Sequence, residues 1–415
     1  MAMNKCWRLL PILFPLLASA QQDSVPSPNM IGQHRFTLDA SAGYDSNVLR
    51  NDLVTGVYNG GPLGRDVRER TLDGLGSVDR AGYELGGRAT YAWGDSLFGH
   101  AGWMPRFSLS YQSVMGVRFT SDVYALSFFG NAAFEDRTAQ LGPGVFEQVT
   151  YQSFGLGIEG RNSGSFVELA LVNGQSLNAG RIQKADLYTA PFGRYLELQL
   201  DGEYHRSDTA SGGFNKGLGA AINARWQHMF QLFRSPAVFS LAVSDLGFIA
   251  WNNNSLSVKK DSTIRYEGIE VTDILDLDGL LVNRTTLQDS LGFGYSKGSF
   301  MRALPARIEA RLGAGRFHKR SHFHGMQPYE LSVDYRYLPG YQPHAAIARN
   351  LVFAKCMAIS VGAGYGGFGD FRAMAGLMGM LDKHFLIGVQ TPNAIGLFSD
   401  EANGKAITLR LEAAW

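Results

Sequence analysis

The chain has 415 residues, 38 basic against 37 acidic side chains, two cysteines and a mean hydropathy of −0.09. That charge balance gives no electrostatic case for nucleic acid, and two cysteines cannot staple a small secreted scaffold. Fifty glycines beside 26 Phe, 17 Tyr and 6 Trp disfavour helix and favour strand, so one large β-structure fits better than several α/β domains.

The first element is a leader. Lys5 and Arg8 precede the apolar run 9–17, and Ala18-Ser19-Ala20 supplies a small-x-small cleavage site whose small residues are Ala18 and Ala20. This is the layout of a secretory signal peptide over residues 1–20, too short to span a bilayer as a helix. Pro11 and Pro15 argue against a buried helix or strand there. Cys6 precedes the apolar run, so it cannot be a lipoprotein cysteine. Cleavage would leave Cys356 as the sole cysteine, with no internal disulfide, and would lower the basic count from 38 to 36 against 37 acidic residues, a net of −1. Residues 21–415 are read as one domain. No later stretch reaches 18 apolar residues, so a membrane-spanning chain of this kind must be a closed barrel.

A period of two then recurs to the last residue. HRFTLDASAGY sets Phe36, Leu38, Ala40, Ala42 and Tyr44 against Arg35, Thr37, Asp39 and Ser41. YELGGRATYAW, YLELQLDGEY, LGAAINARW, ARIEARLGAG and YELSVDYRY alternate in the same way. MAISVGAGY, FRAMAGLMGML and HFLIGVQ carry the pattern to KAITLRLEAAW. Weaker segments fall near 106–113, 151–158, 166–172, 238–246 and 346–353. The spacing predicts about 14 strands, roughly 10 residues each across a bilayer. The polar parity carries full charges, which suits a wet or hydrogen-bonded lumen. Parity by itself does not say which face points inward. The secretory leader and the aromatic ends of many strands (Tyr44, Trp93, Tyr204, Trp226, Tyr337, Trp415) favour a membrane barrel with an interfacial girdle over a soluble sandwich. Trp415, with no polar tail after it, is expected to end the strand that closes the barrel and to act as its assembly signal.

Three segments break the period. Residues 47–80 are polar and Gly-rich, a long loop or part of a plug. SDVYALSFFGN (121–131) has helical spacing and a Gly-Asn stop, and 268–292 reads as one or two short helices. These helices are expected in or under the lumen. The fold class is therefore all-β: a transmembrane antiparallel barrel of about 14 strands with short helices.

Catalytic chemistry is only hinted at. His318, His322 and His324 lack the cysteine or organised carboxylate that would complete a metal set, and a solvated loop tip is the favoured reading. GAGYGG (362–367) matches G-x-G-x-x-G, but the dinucleotide fingerprint needs a following helix, and FGDFRAMAG reads as strand. LDLDG (275–279) lacks the remaining ligand positions of a calcium loop. No enzyme, cofactor or metal is expected.

Residues 122–160, with a short helix ending at Gly130-Asn131 and a Tyr/Glu-containing strand after it, resemble a Bacteroidota outer-membrane β-barrel family of unknown function. FSLAVSDLGFIAWNNNSL (239–256), TIRYEGIEVTDIL (263–275) and GSFMRALPARIEARLGAG (298–315) resemble its other characteristic segments. The architecture of that family looks FadL-like. The resemblance implies a cell outer membrane location, contact with outer-membrane lipid, and the barrel assembly machinery as a partner during biogenesis. It also implies passive passage of small hydrophobic compounds. The alternative is a non-transporting barrel subunit of a secretion or outer-membrane assembly complex, with a protein partner. A lateral gap lined by apolar side chains would favour transport. A lumen filled by charged side chains and by 268–292 would favour a subunit.

Overall fold

The computed structural model describes residues 34–60, 62–94, 96–97, 99–208, 215–267, 296–317, 322–323, 326–381 and 384–415. The leader, with Ala18 and Ala20, and the 268–292 segment lie outside the described residues.

Fourteen antiparallel strands close into a barrel. In chain order they are β1 His34–Ser46, β2 Asp79–Trp93, β3 Trp103–Phe119, β4 Gly144–Gly160, β5 Phe166–Thr189, β6 Gly217–Leu232 and β7 Ser235–Trp251. The second half is β8 Arg307–Ala314, β9 Tyr329–Arg336, β10 Gln342–Ala354, β11 Met357–Gly367, β12 Phe371–Leu381, β13 Phe385–Thr391 and β14 Lys405–Ala414. Each pairs with its sequence neighbour. β14 returns to β1 in a register running from Arg35 opposite Ala414 to Tyr44 opposite Lys405, which closes the ring of fourteen strands. At the seam the His34 N–H donates to the Trp415 carbonyl at 2.9 Å, and the Trp415 N–H donates to the His34 carbonyl at 3.0 Å.

Parity decides inside from outside. On β5, Leu169 and Leu171 are 66% and 63% exposed, whereas Glu168 between Val167 and Leu169 is fully buried. β14 repeats this: Thr408, Arg410 and Glu412 are buried, and Ile407, Leu409 and Leu411 are only partly covered. The polar parity therefore faces the lumen. The apolar parity forms a continuous outer band, far larger than the patches a water-soluble monomer exposes, and it suits hydrocarbon.

The two ends differ. At the end bearing His34 and Trp415 the connections are mostly short. The β6–β7 turn, for instance, is the pair Phe233-Arg234, both at positive φ (47° and 66°), as a two-residue hairpin turn with matching twist requires. At the opposite, loop end lie the long connections and the helices α1 Asn51–Tyr58, α2 Arg65–Asp73, α3 Ser121–Phe129 and α4 Ala394–Phe398. The 47–80 segment is thus a helical cap. The helix expected at 121–131 forms, and Gly130 stops it at φ 77°. Tyr124 of α3 donates to the Arg68 carbonyl at 3.0 Å, and burial holds its hydroxyl pKa above the ordinary value. Asn51 ties α1 to the α4 region through the carbonyls of Gly396 and Ser399, at 2.9 and 2.8 Å.

Two expectations need correction. The segment YLELQLDGEY forms the strand Leu196–Arg206 but does not enter the barrel. β5 is long: its first part pairs with β6, and Asn178–Thr189 pairs instead with Leu196–Arg206, which pairs with Leu256–Tyr266. Tyr204 therefore sits in this projecting sheet, bonded to Asn178 at 3.1 Å, and takes no part in a girdle. Tyr44 is half-buried and hydrogen-bonds Asn51 at the loop end. Trp93, Trp226, Tyr337 and Trp415 are exposed, at 38%, 54%, 60% and 58%.

Candidate functional site

Among the described residues, side chains occupy the lumen at three levels. At the terminus end, Phe323 and Met326 from the β8–β9 connection are buried with Met378, Met380 and Leu386. In the middle lies a layer of ion pairs. At the loop end the β9–β10 and β11–β12 connections fold inward across the barrel. Phe368 packs where Gly82 of β2 has no side chain, and the Pro339 carbonyl does the same over Gly116 of β3. A Cβ at either glycine would collide with the incoming loop. Arg80 fastens the second loop through the Gly369 carbonyl at 2.8 Å and Asp370 at 2.7 Å.

The middle layer centres on Asp245. Its φ is 55°, it sits at a register shift between β6 and β7, and its N–H donates to Asn223 Oδ1 at 2.8 Å. This bulge turns its side chain into the lumen. There Arg88 donates to Oδ1 and Tyr151 donates to Oδ2, each at 3.0 Å. Beside it, Arg336 pairs with Glu84 at 2.6 Å, and Glu168 accepts from Arg106 at 3.1 Å and from Asn223 at 2.8 Å. Asp334 gathers Arg307 at 3.2 Å, His344 at 3.0 Å and Tyr341 at 2.6 Å. Charges buried this way persist only when paired and hydrogen-bonded.

The bulge also flips the inward parity of β7. Ser240, Ala242 and Ser244 face the lumen on one side of it, and Ile249 and Trp251 do so on the other. On the loop side these meet Val172, Leu177, Leu304 and Phe368 in an apolar cluster. The ion-pair layer thus lies between two apolar clusters, one towards the loops and one at the terminus end.

Next to that cluster the wall is interrupted. Strand Phe300–Ala303 pairs with β7, and the chain kinks at Leu304-Pro305-Ala306 before β8. Among the described residues Phe300–Ala303 has no second strand neighbour, because the chain after β9 turns into the lumen at 337–341. A cleft of about 680 Å3 occupies the break, lined by Tyr335, Tyr337, Leu338, Tyr341 and Arg302 among others. Tyr335 belongs to the outward parity of β9, and its ring meets the inward Tyr341 edge-on at 6.4 Å, so the cleft joins wall to mouth.

Sequence reasoning foresaw a charged lumen and placed Glu84, Arg88, Asn223, Arg307, Asp334 and Arg336 on the polar parity of their strands, but it did not single out Asp245, Glu168 or Arg106. The signal was present in the segments that carry the family resemblance. Asp245 and Trp251 lie in one, Leu304 and Pro305 in a second, Glu147 and Tyr151 in a third. The structure brings the three together: Tyr151 meets Asp245, Glu147 pairs with Arg302 at 2.7 Å, and the Leu304 N–H donates to the Gly247 carbonyl at 2.9 Å. The GAGYGG stretch is strand β11, as expected. Of the histidine cluster only His322 is described, and no metal-binding group occurs among the described residues.

A model of a family of unknown function, DUF5723, matches residues 172–354. No curated protein matches the chain. Among solved structures, the toluene transporter TbuX of Ralstonia pickettii is similar at 9% identity and TM-score 0.41, covering 96% of each chain. The P. putida toluene transporter TodX is similar at 10% identity and TM-score 0.40, covering 94% of this chain and 91% of that one. The translocator domain of autotransporter NalP from Neisseria meningitidis is similar at 6% identity and TM-score 0.30, with 95% and 90% covered. The fold drawn here rests on the chain's own strand pairing.

Proposed function

We propose that this is an outer-membrane barrel passing small hydrophobic compounds from the loop side into the membrane through the break in its wall. The observation that carries this reading is the cleft beside Phe300–Ala303, where Tyr335, Leu338 and Tyr341 connect the outer wall to the apolar cluster on the loop side of the lumen. Such a route never crosses the ion-pair layer. Tyr335, Leu338 and Tyr341 give one side of the cleft a largely apolar face, while Arg80, Arg118, Glu147, Arg181 and Arg302 line the rest; the apolar face supplies favourable transfer for a hydrophobic solute. Outer-membrane lipid is then the receiving phase, and Trp415 serves as the assembly signal read during biogenesis.

The test is accumulation of a radiolabelled small aromatic compound by cells with an outer membrane. Cells making the protein should outpace cells without it. Leu338→Trp, which enlarges a side chain lining the break, should return uptake to background while the barrel still folds. Equal uptake in all strains would overturn the reading.

A second reading draws on the charged lumen, crossed by the ion-pair layer, which suits a non-transporting subunit. It requires a stoichiometric protein partner. Native mass spectrometry of the barrel from mild detergent separates the two: a retained lipid-like or aromatic mass favours transport, and a protein partner favours the subunit.

A further inference from the structure

Eight arginines line a chamber of about 220 Å3 on the terminus side of the ion-pair layer. Seven hold a carboxylate. Arg35 pairs with Glu159, Arg88 with Asp245, Arg106 with Glu159 and Glu168, and Arg307 with Asp334. Arg311 pairs with Glu309 and Glu330, Arg336 with Glu84, and Arg410 with Asp39. Arg225 differs. Among the described residues no carboxylate stands within ion-pair distance of it, and its guanidinium carbon lies 5.5 Å from the centre of the Phe166 ring. Arg106 lies 4.1 Å over the same ring.

An arginine pointing into a protein-lined chamber without an anion is costly. Asp39, Glu159, Asp245, Glu309 and Glu330, which line the chamber with it, each pair with another guanidinium group. Gln227 and Ser240, opposite each other across the β6–β7 pair, also line the chamber and add donors beside Arg225. A planar guanidinium fork with amide and hydroxyl donors matches an oxyanion, which accepts two parallel bonds from arginine.

We propose that the chamber is a binding site for a small oxyanion, of the carboxylate or phosphate type, held chiefly by Arg225. The site is separate from the wall cleft and independent of the transport reading.

The experiment uses the full-length protein in mild detergent, titrated with inorganic phosphate or with acetate at constant ionic strength. It reads the unfolding temperature and the phosphorus NMR linewidth of phosphate. A ligand that binds only the folded state raises its stability saturably. The wild type should show a saturable rise, and free phosphate should broaden. Arg225→Gln should abolish both, and Arg225→Lys should weaken apparent affinity at least tenfold. Ala242→Leu, which fills the chamber from the position opposite Arg225 without altering a charge, should also abolish binding and stands in if Arg225→Gln fails to fold. An effect confined to phosphate assigns a phosphate site, and an effect shared with acetate assigns a general oxyanion site. No saturable effect in the wild type, or the same effect in Arg225→Gln or Ala242→Leu, would overturn the proposal.

Discussion

Asp245 shows how much one residue carries. Its left-handed backbone lets a carboxylate leave the strand parity and meet Arg88 and Tyr151 at the barrel's centre. Asp245→Ala leaves Arg88 buried without its ion partner and Tyr151 without its acceptor. Breaking a buried pair in this way costs about 3–5 kcal/mol, so the urea midpoint of the barrel in vesicles should fall markedly. Asp245→Asn keeps an acceptor for Tyr151 and should fall less. Equal midpoints for wild type and Asp245→Ala would show that the pair contributes nothing. The sequence did not reveal this role. Ser-Asp-Leu-Gly inside an alternating strand is a plausible bulge, but which residue turns inward depends on the register of β6, fixed by pairing with distant chain.

At the scale of the element, alternation was legible and its sense was not. A strand such as β5 reads the same whether its leucines face a core or a membrane. The structure settles it through Glu168, fully buried, and Leu169 and Leu171, largely exposed. Arginine on the lipid face near the midplane costs about 2–4 kcal/mol. Leu171→Arg should therefore lower the yield of folded barrel in vesicles, whereas Leu171→Phe should leave it unchanged. If Leu171→Arg folds as well as wild type, the outer band does not face hydrocarbon. Strand length was the weaker reading. YLELQLDGEY alternates like a wall strand, yet it pairs with the overhanging part of β5, and no local property separates the two cases. The inward loops make a further prediction. Gly82→Val places methyl groups where the Phe368 ring lies, and overpacking of this kind costs about 1–3 kcal/mol. Hydrogen exchange across 366–371 should speed up in that variant, with the barrel strands unaffected.

For the whole molecule the controlling feature is closure. Trp415 stacks on His34 at 5.6 Å, His34 stacks on Tyr91 at 6.1 Å, and Tyr91 stacks on Trp93 at 5.4 Å. The chain of rings crosses the seam between the last strand and the first two. Aromatic pairs add about 0.5–1.5 kcal/mol each, so Trp415→Ala should cost little at equilibrium. Its proposed part in assembly predicts a larger effect on rate: membrane insertion with purified assembly machinery should slow several-fold, while unassisted folding in detergent changes little. Equal assisted rates would remove the assembly role.

The sequence by itself determined the repeating strands, their number, the charged parity, the short helix that stops at Gly130 and the aromatic last residue. All of these depend on neighbours within a few residues, through backbone period, turn chemistry and side-chain type. Only the tertiary structure decided that the charged parity points inward, that Asp245 stands at the centre and, among the described residues, that the wall breaks after Ala303 and that no carboxylate pairs with Arg225. Each of these depends on which strands meet across the barrel and in what register. Residues as distant as Glu84 and Arg336, or Asp45 and Arg372, meet because closing the sheet pairs the last strand with the first, a condition on the whole ring that no single segment records.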